Sequence, residues 1–569
     1  MKRKHLVTSA LPYANDPLHF GHLAGVYLPA DVYVRHLKKQ GHDVLHICGS
    51  DEHGVAIMLG AEKEGKDYQT YVNEWHEDHR SLFEGYGIEF EVFGQTSSKN
   101  HEEEVLKWFH ALYEGGYIEK KSEPQLYCIS DQMFLPDRYV EGTCYECGYE
   151  KARGDECPEC GTWIEATRLI RPRSTVSGSS DIEIREASHY YLMLSKFESE
   201  YRSWYAEKKG QWRKLVSGFV GGLLENGMVD RAISRDLKWG IPVPLPEAEG
   251  KRLYVWFDAP IGYVSNTKEY LEKNRPQEDY LKDWWLNPEV EISHFLGKDN
   301  IIFHALIWPC MCMGSRRALH AKQVYAQEFL NLEGRQFSKS AGWTIDAKKA
   351  LEDFGEDNLR FALLQMIPET GDTNFTFDGL AQSNAEFGNK VGNFVHRVLS
   401  FMNKKWPDGL SSQAFASIGN DPHLQVIEDG IKKIQTELNQ SQLSKAIVEL
   451  MNFGQTANEF FHAAEPWKVI KEDEAQAERL IALSVIHIAA IGIVLEPFVP
   501  HLSNRLMQSF EHYFSKTTEA EVYQGNFESL MKAFEKGFKL SAPPEVLMPR
   551  IDSDLIEQWK NSLFSNAKD

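Results

Sequence analysis

The stretch that most constrains this chain is Leu11 to His22, reading LPYANDPLHFGH. Before it, His5 to Ala10 form a short apolar run, long enough for one buried parallel strand. After it, apolar residues recur at helical spacing from about His19 to Gln40, and Gly41 offers a stop. The segment therefore reads as strand, loop and helix, with His19, Gly21 and His22 in the first helical turn. A helix that starts at the carboxyl end of a parallel strand presents free backbone N–H groups and the positive end of its dipole, which suits phosphate. Gly21 lets a flat base lie against the backbone, and His19 and His22, three apart, share a face and can both donate to a phosphate oxygen. Taken alone, HxxH is an ordinary pair of surface or core histidines.

A second element answers the first. Gln336-Phe-Ser-Lys-Ser340 sits in a loop between Gly334 and Gly342, and a lysine among small hydroxyl residues there is a mobile cation able to close over a triphosphate. Between the two lies Asp43 to Gly49 (DVLHICG), a second parallel strand with SDEHG at its carboxyl end, where open α/β sheets place ligand contacts. Asp51 in that segment could equally be a helix N-cap. Helical patterns fill Val55 to Gly87 and Lys99 to Gly116, and strand-like texture returns at Arg252 to Tyr263 (RLYVWFDAPIGY) and His294 to His304 (HFLGKDNIIFH).

From Tyr117 the pattern changes to short strands and turns, an insertion within the nucleotide-binding fold. It holds Cys144-Tyr-Glu-Cys147 and Cys157-Pro-Glu-Cys160, two CxxC pairs nine residues apart, followed by Gly148 and Gly161. Four thiolates complete a closed tetrahedral Zn²⁺ site with no open position, so the metal is structural, one per chain. A redox dithiol pair or two disulfides is the other reading. Cys48, Cys128, Cys310 and Cys312 have no ligand spacing and read as buried thiols.

Charge and length limit the partners. A net charge of −21 over 569 residues argues against a general nucleic-acid coat and leaves room for a local basic groove. Eight cysteines in so long a chain fit a reducing compartment, and the expected location is cytoplasmic. The start, MKRKHLVTSALPYA, imitates a signal peptide but reads as a strand. Leu480 to Leu495 approaches a membrane span in length, holds His487, and reads as a buried bundle helix; no membrane is expected. After about Gly371, long amphipathic helices run to about Phe538.

HFGH after LPYAN, paired with FSKS, resembles the two signatures of class I aminoacyl-tRNA synthetases, written HIGH and KMSKS in the family. Gln336 stands in place of the first lysine, whose role is therefore open, while Lys339 matches the second. With the cysteine knuckle, WFDAPIGY and GKDNIIFH in the same order, the resemblance narrows to the methionyl-tRNA synthetases and covers nearly the whole chain. The block between Gly116 and roughly Arg235 is too short for the editing domain of the leucine, isoleucine and valine enzymes. The implied fold is α/β: a Rossmann-like parallel sheet with an inserted zinc-knuckle connective domain, then an all-α helical-bundle anticodon-binding domain. Its expected bounds are 1–116 and 236–330 for the two catalytic halves, 117–235 for the insertion, 331–380 for the FSKS loop and stem-contact region, 381–545 for the helical domain and 546–569 for a C-terminal extension.

The resemblance also implies roles. Leu11, Tyr13, Trp256, Ala259, Pro260, Tyr263 and His304 line a methionine pocket, Asp51 pairs with the substrate ammonium, and Asp299 lies near the ATP ribose. A thioether suits apolar and aromatic walls with at most a weak donor, such as the Tyr263 hydroxyl. Asn300 stands where some members carry an aliphatic residue. His19, Gly21, His22 and Lys339 hold ATP, His19, His22 and Lys339 acting in catalysis, with Mg²⁺ on the nucleotide. Lys390, Asn393, Arg397 and Lys404 share a helix face, which alone is an ordinary solvated face. The family implies that Asn393 and Arg397 read the anticodon and that Trp467 of Glu465-Pro-Trp467 stacks on an anticodon base. The expected activity is ATP-dependent ligation of L-methionine to tRNA(Met) through a methionyl-adenylate, by a monomer. Two other readings are a sister synthetase, for instance for cysteine, and a non-catalytic tRNA-binding paralogue.

Overall fold

The structure is a computed structural model and describes residues 2–566, apart from 136–138, 155, 156, 161–163, 226, 340, 420 and 542. Ser340 and Gly161, both named above, lie outside the described residues. At its centre is a five-stranded sheet in the order Gln323–Gln327, Glu291–Gly297, Lys4–Ser9, Asp43–Ser50, Val92–Gln95, with every neighbouring pair parallel. Lys4–Ser9 is buried along nearly its whole length, as a strand covered on both faces must be. Strand order reverses on either side of it. The crevice outside the carboxyl ends of Lys4–Ser9 and Glu291–Gly297 is therefore the topological switch point, the place where such sheets bind ligands.

The helix expected after Lys4–Ser9 is present but not uniform. Phe20–His22 is α-helical, Leu23–Tyr27 is a π-turn, and Leu28–Lys39 resumes the α-helix. The same construction recurs after Glu291–Gly297, where a π-turn over Phe303–Ile307 precedes the helix Trp308–Ser315. In both cases a proline, Pro29 or Pro309, opens the resumed helix. Proline has no N–H to give, so it fits where the regular ladder has been interrupted, and such bulges are frequent at functional sites.

Two readings of local structure need correction. Arg252 to Tyr263 is a strand only over Lys251–Leu253; Val255–Asp258, Ala259–Ile261 and Gly262–Asn274 are helical, so Trp256 stands on a helix. Pro260 and the helix-compatible spacing of buried residues outweigh the β-branched and aromatic composition. The His294 to His304 stretch is likewise a strand only as far as Gly297. The insertion is more than strands and turns. Its long pair Ile118–Cys128 and Ile182–Leu192 is antiparallel, and the helices Glu198–Lys208 and Lys214–Glu225 follow.

Helices dominate from Phe377 onward. Glu474–Leu495, long and apolar enough to cross a membrane by composition, is mostly buried among the others, and His487 Nδ1 lies 3.0 Å from His423 Nε2 inside the bundle. The bundle docks on the helix that begins at the HFGH turn. Arg360, fully buried, donates to Asp31 (2.7 Å), to the Tyr86 carbonyl (2.6 Å) and to the Phe498 carbonyl (3.0 Å). Arg35 bridges Asp31 and Glu496, and His36 meets Tyr523 and Asn439.

Candidate active site

His19 and His22 are held by their own backbone. The Gly21 N–H donates to His19 Nδ1 and the His19 N–H donates to His22 Nδ1, each at 3.1 Å. Both Nδ1 atoms are therefore acceptors, which fixes the proton of each neutral ring on Nε2. Burial, then the neighbouring His22 and Lys339, lowers His19 to about 2; burial, then Lys339, lowers His22 to about 3. The pair thus offers two Nε2–H donors without net charge. A Cβ at Gly21 would lie 2.9 Å from the His19 ring, so a side chain there would push that ring from its place.

The FSKS loop lies across this turn. Phe337 stacks on His19 with ring centres 4.2 Å apart and planes 2° from parallel. Lys339 Nζ donates to the Pro17 carbonyl at 2.9 Å and pairs with Asp16 at 3.0 Å. Burial lowers the Lys339 ammonium and Asp16 partly restores it. Phe337 and Asp16 were not singled out from the sequence, although each is adjacent to or within a motif.

Asp51 hangs at the end of Asp43–Ser50, joined to the LPYAN loop by Ala14 N–H to Asp51 O (2.9 Å) and Asp51 N–H to Pro12 O (2.8 Å). Its side chain is 2% exposed, and Oδ1 has no hydrogen-bond partner among the described residues. Burial first, then the nearby Asp258, holds its carboxyl well above the usual range. The His53 N–H satisfies the other oxygen; a buried carboxylate with one oxygen bare is costly, and a cation placed at Oδ1 would lower that cost.

Leu11, Tyr13, Asp51, Trp256, Asp299, His19, Gly21, His22, Gln336 and Lys339 line one cavity of about 1410 Å³. Trp256 stacks on Phe303 (3.8 Å, 5°) and receives Tyr13 edge-on (6.0 Å). Phe303, which the sequence reading passed over beside His304, is thus part of the aromatic wall. Ala259, Pro260, Tyr263 and His304 lie outside this lining, in the buried layer. There the Tyr263 hydroxyl and His304 Nε2 are 2.7 Å apart, while His304 Nδ1 faces the Asn300 carbonyl at 3.1 Å. A carbonyl only accepts, so Nδ1 carries the proton and the Tyr263 hydroxyl donates to Nε2; that hydroxyl is not a free donor for a thioether. Burial lowers His304 to about 4. The insertion supplies the far wall of the cavity, including Tyr191, Arg231 and Arg235.

The sulfurs of Cys144, Cys147, Cys157 and Cys160 all lie within 4.8 Å of one another, with Cys147 and Cys157 at 3.6 Å and Cys144 and Cys160 at 3.9 Å. These separations exceed any disulfide and suit thiolates around one ion, because tetrahedral bonds of ~2.3 Å place sulfurs ~3.8 Å apart. Gly148, at φ +79°, makes the first knuckle turn, its N–H donating to the Cys144 carbonyl at 3.0 Å. The four cysteines could hold a metal ion. Cys48, Cys128, Cys310 and Cys312 are buried free thiols.

Asn393, Arg397 and Trp467 gather elsewhere, on the helical bundle. The Arg397 guanidinium sits 5.2 Å from the Phe461 ring and 5.7 Å from the Trp467 ring, and Trp467 packs edge-on against Phe461. Asn393 and Arg397 are exposed and Trp467 is half-buried. Glu465, which precedes Pro466 and Trp467, adopts φ +41°, a left-handed conformation unusual for a residue with a side chain.

Comparison with known proteins agrees with this geometry. The family described as tRNA synthetases class I (M) matches residues 5–399, and the anticodon binding domain of methionyl tRNA ligase matches residues 416–569. The methionine–tRNA ligase of Bacteroides fragilis is 41% identical over 571 residues, spanning 100% of this chain and 81% of that protein. That of Rubrobacter xylanophilus is 39% identical over 530 residues, 91% of each. A crystal structure of Mycobacterium tuberculosis methionyl-tRNA synthetase bound by methionyl-adenylate shares the fold, with a TM-score of 0.76 at 20% identity, covering 96% of this chain and 100% of that one. With one family matching most of its length and relatives this similar across all of it, the chain belongs to the methionyl-tRNA synthetase family of class I aminoacyl-tRNA synthetases.

Proposed function

We propose that the chain is a methionine–tRNA ligase that joins L-methionine and ATP into methionyl-adenylate and passes the methionyl group to the 3′ end of tRNA(Met). The observation that carries this reading is the buried Asp51 carboxylate, which takes the His53 N–H and keeps Oδ1 without a partner among the described residues, on a cavity that joins the Trp256–Phe303 wall to the HFGH turn and Lys339. Asp51 takes the substrate ammonium. Leu11, Tyr13 and Trp256 take the side chain, backed by Ala259, Pro260, Tyr263 and His304. The methionine carboxylate, already ionised, attacks the α-phosphorus in line and pyrophosphate leaves, so no general base is needed. Positioning and donors aimed at the growing phosphate charge do the work. His19 and His22 donate through Nε2–H, Gly21 leaves room for the base, Asp299 meets the ribose, and Lys339 leaves Asp16 for the phosphates. Mg²⁺ bound with ATP neutralises phosphate charge. The ribose hydroxyl of the tRNA end then attacks the carbonyl and AMP leaves.

Zn²⁺ is the ion assigned to Cys144, Cys147, Cys157 and Cys160, in a structural role, because four thiolates leave it no open position. Asn393 and Arg397 supply donors and Trp467 a stacking face for anticodon bases. The protein works in the cytoplasm as a monomer. Amino-acid-dependent ATP–pyrophosphate exchange over the full panel of amino acids tests the reading. Methionine should run fastest, with norleucine and homocysteine detectable, since an apolar pocket separates such side chains by only ~1–3 kcal/mol. Faster exchange with cysteine or leucine, or none at all, would overturn it.

A further inference from the structure

Two buried residues that no role above has used stand directly behind the amino-acid pocket. His53 follows Asp51 by two positions and Asp258 follows Trp256 by two, so each belongs to the segment that carries one wall of the pocket. His53 Nδ1 lies 2.8 Å from Asp258 Oδ2; His53 is 4% exposed and Asp258 0%. The two segments touch at a second point, where a Cβ on Gly54 (φ +98°) would meet Val255 at 3.4 Å. On its other side the His53 ring meets Trp239 edge-on at 5.6 Å, and Trp239 Nε1–H donates to the Glu52 carbonyl at 2.6 Å. Asp258 Oδ1, like Asp51 Oδ1, has no partner among the described residues. A buried pair left half satisfied adds little to stability, which turns attention to what it positions.

We propose that His53 and Asp258 are a positioning pair for amino-acid selection, tying the loop of Asp51 to the helix of Trp256. The span between the carboxylate that takes the ammonium and the indole that takes the side chain is fixed by that tie. An α-amino acid has a fixed backbone, so this span selects the length of its side chain. The inference rests on the amino-acid-activation reading above and goes beyond it by naming what sets the ruler. Neither residue touches substrate; both act through Asp51 and Trp256.

Steady-state pyrophosphate exchange on purified variants of the full chain tests it. His53→Phe keeps the ring against Trp239 and removes the Nδ1 donor, and Asp258→Leu removes the acceptor while keeping the branched shape of the side chain. Each should raise the KM for methionine about tenfold or more, since misplacement by an ångström can cost ~10²-fold, while KM for ATP stays near wild type; each variant also melts lower, because the remaining partner is left buried and unpaired. The double variant should be no worse than either single, as expected for one shared interaction. His53→Asn, whose amide reaches the Nδ1 position, should recover most of the loss. A KM for methionine that does not move, equal rises for methionine and ATP, or single effects that simply multiply would overturn the proposal. Should His53→Phe fail to fold, Asp258→Leu removes the same bond from the other side and carries the same test. If the wild type does not exchange with methionine, the activation reading fails first, a result distinct from an insensitive variant.

Discussion

The cavity at the switch point and the platform on the helical bundle are built on opposite terms. In the cavity the histidines and Asp51 are placed in advance, and Lys339 rests on Asp16. His19 and His22 are locked as Nε2–H donors by backbone bonds, and Asp51 is buried with one carboxylate oxygen lacking a partner among the described residues. On the platform Arg397 and Asn393 are exposed, and the guanidinium rests on the faces of Phe461 and Trp467. Charge that develops in a reaction needs fixed, desolvated partners, whereas loop bases that arrive splayed need aromatic faces and reachable donors. The first kind of site stores cost in the folded protein; the second leaves the cost of ordering to the moment of binding.

The largest effects are expected at the cavity. Removing one phosphate donor, in His22→Ala or Lys339→Ala, should lower methionine-dependent pyrophosphate exchange by about 10²–10³-fold, with or without tRNA. An unchanged exchange rate in either well-folded variant would remove that residue from the chemistry. Next in size is the cysteine knuckle. Metal analysis should find about one tightly held Zn²⁺ per chain, and Cys157→Ser should lose it together with activity through local unfolding. A fully active protein free of zinc would contradict the structural role. Trp467→Ala and Arg397→Ala should reduce tRNA charging about tenfold, because a stacked base is worth ~1–3 kcal/mol and ~1.4 kcal/mol is a factor of ten.

The smallest expected effects are on stability, and they run in opposite directions with pH. Burial depresses His19 and His22 to about 2 and about 3, so the unfolded chain binds protons first as pH falls below the ordinary histidine range, and stability drops through that window. Relative to wild type, His22→Gln should lose stability more shallowly between about pH 6 and pH 4, by up to ~1.4 kcal/mol per pH unit, in calorimetric melts. Asp51 is the reverse: burial raises its carboxyl, so the folded state keeps a proton that the unfolded state releases, and stability falls as pH rises. Asp51→Asn should therefore melt higher than wild type near neutral pH without methionine, while losing exchange. A variant that melts lower would show that Asp51 has a stabilising partner.

HFGH and FSKS are each ordinary alone and were legible only as a pair, through the resemblance they make together. LPYANDPLHFGH and the parallel strand before it are found where periodicity puts them, and so are the four clustered cysteines. Less was visible where a long-range neighbour decides. VWFDAPIGY has the composition of a strand yet folds as helix, because its aromatic residues pack across the pocket and Pro260 opens a helical turn. Phe303 and the His53–Asp258 pair gain meaning only from partners far away in sequence, 205 positions for the pair. Strands Val92–Gln95 and Gln323–Gln327 are short edges of the sheet, with too few residues to show a period.

On the proposed function, adenylate chemistry belongs to the cavity and anticodon reading to the bundle, and the two are separable. Methionine-dependent pyrophosphate exchange and tRNA charging, measured side by side on Trp467→Ala, test it most directly. Exchange should stay close to wild type and charging should fall about tenfold, for the loss of one stacking face. A variant that melts early and loses both activities together, or that charges tRNA as well as wild type, would contradict it.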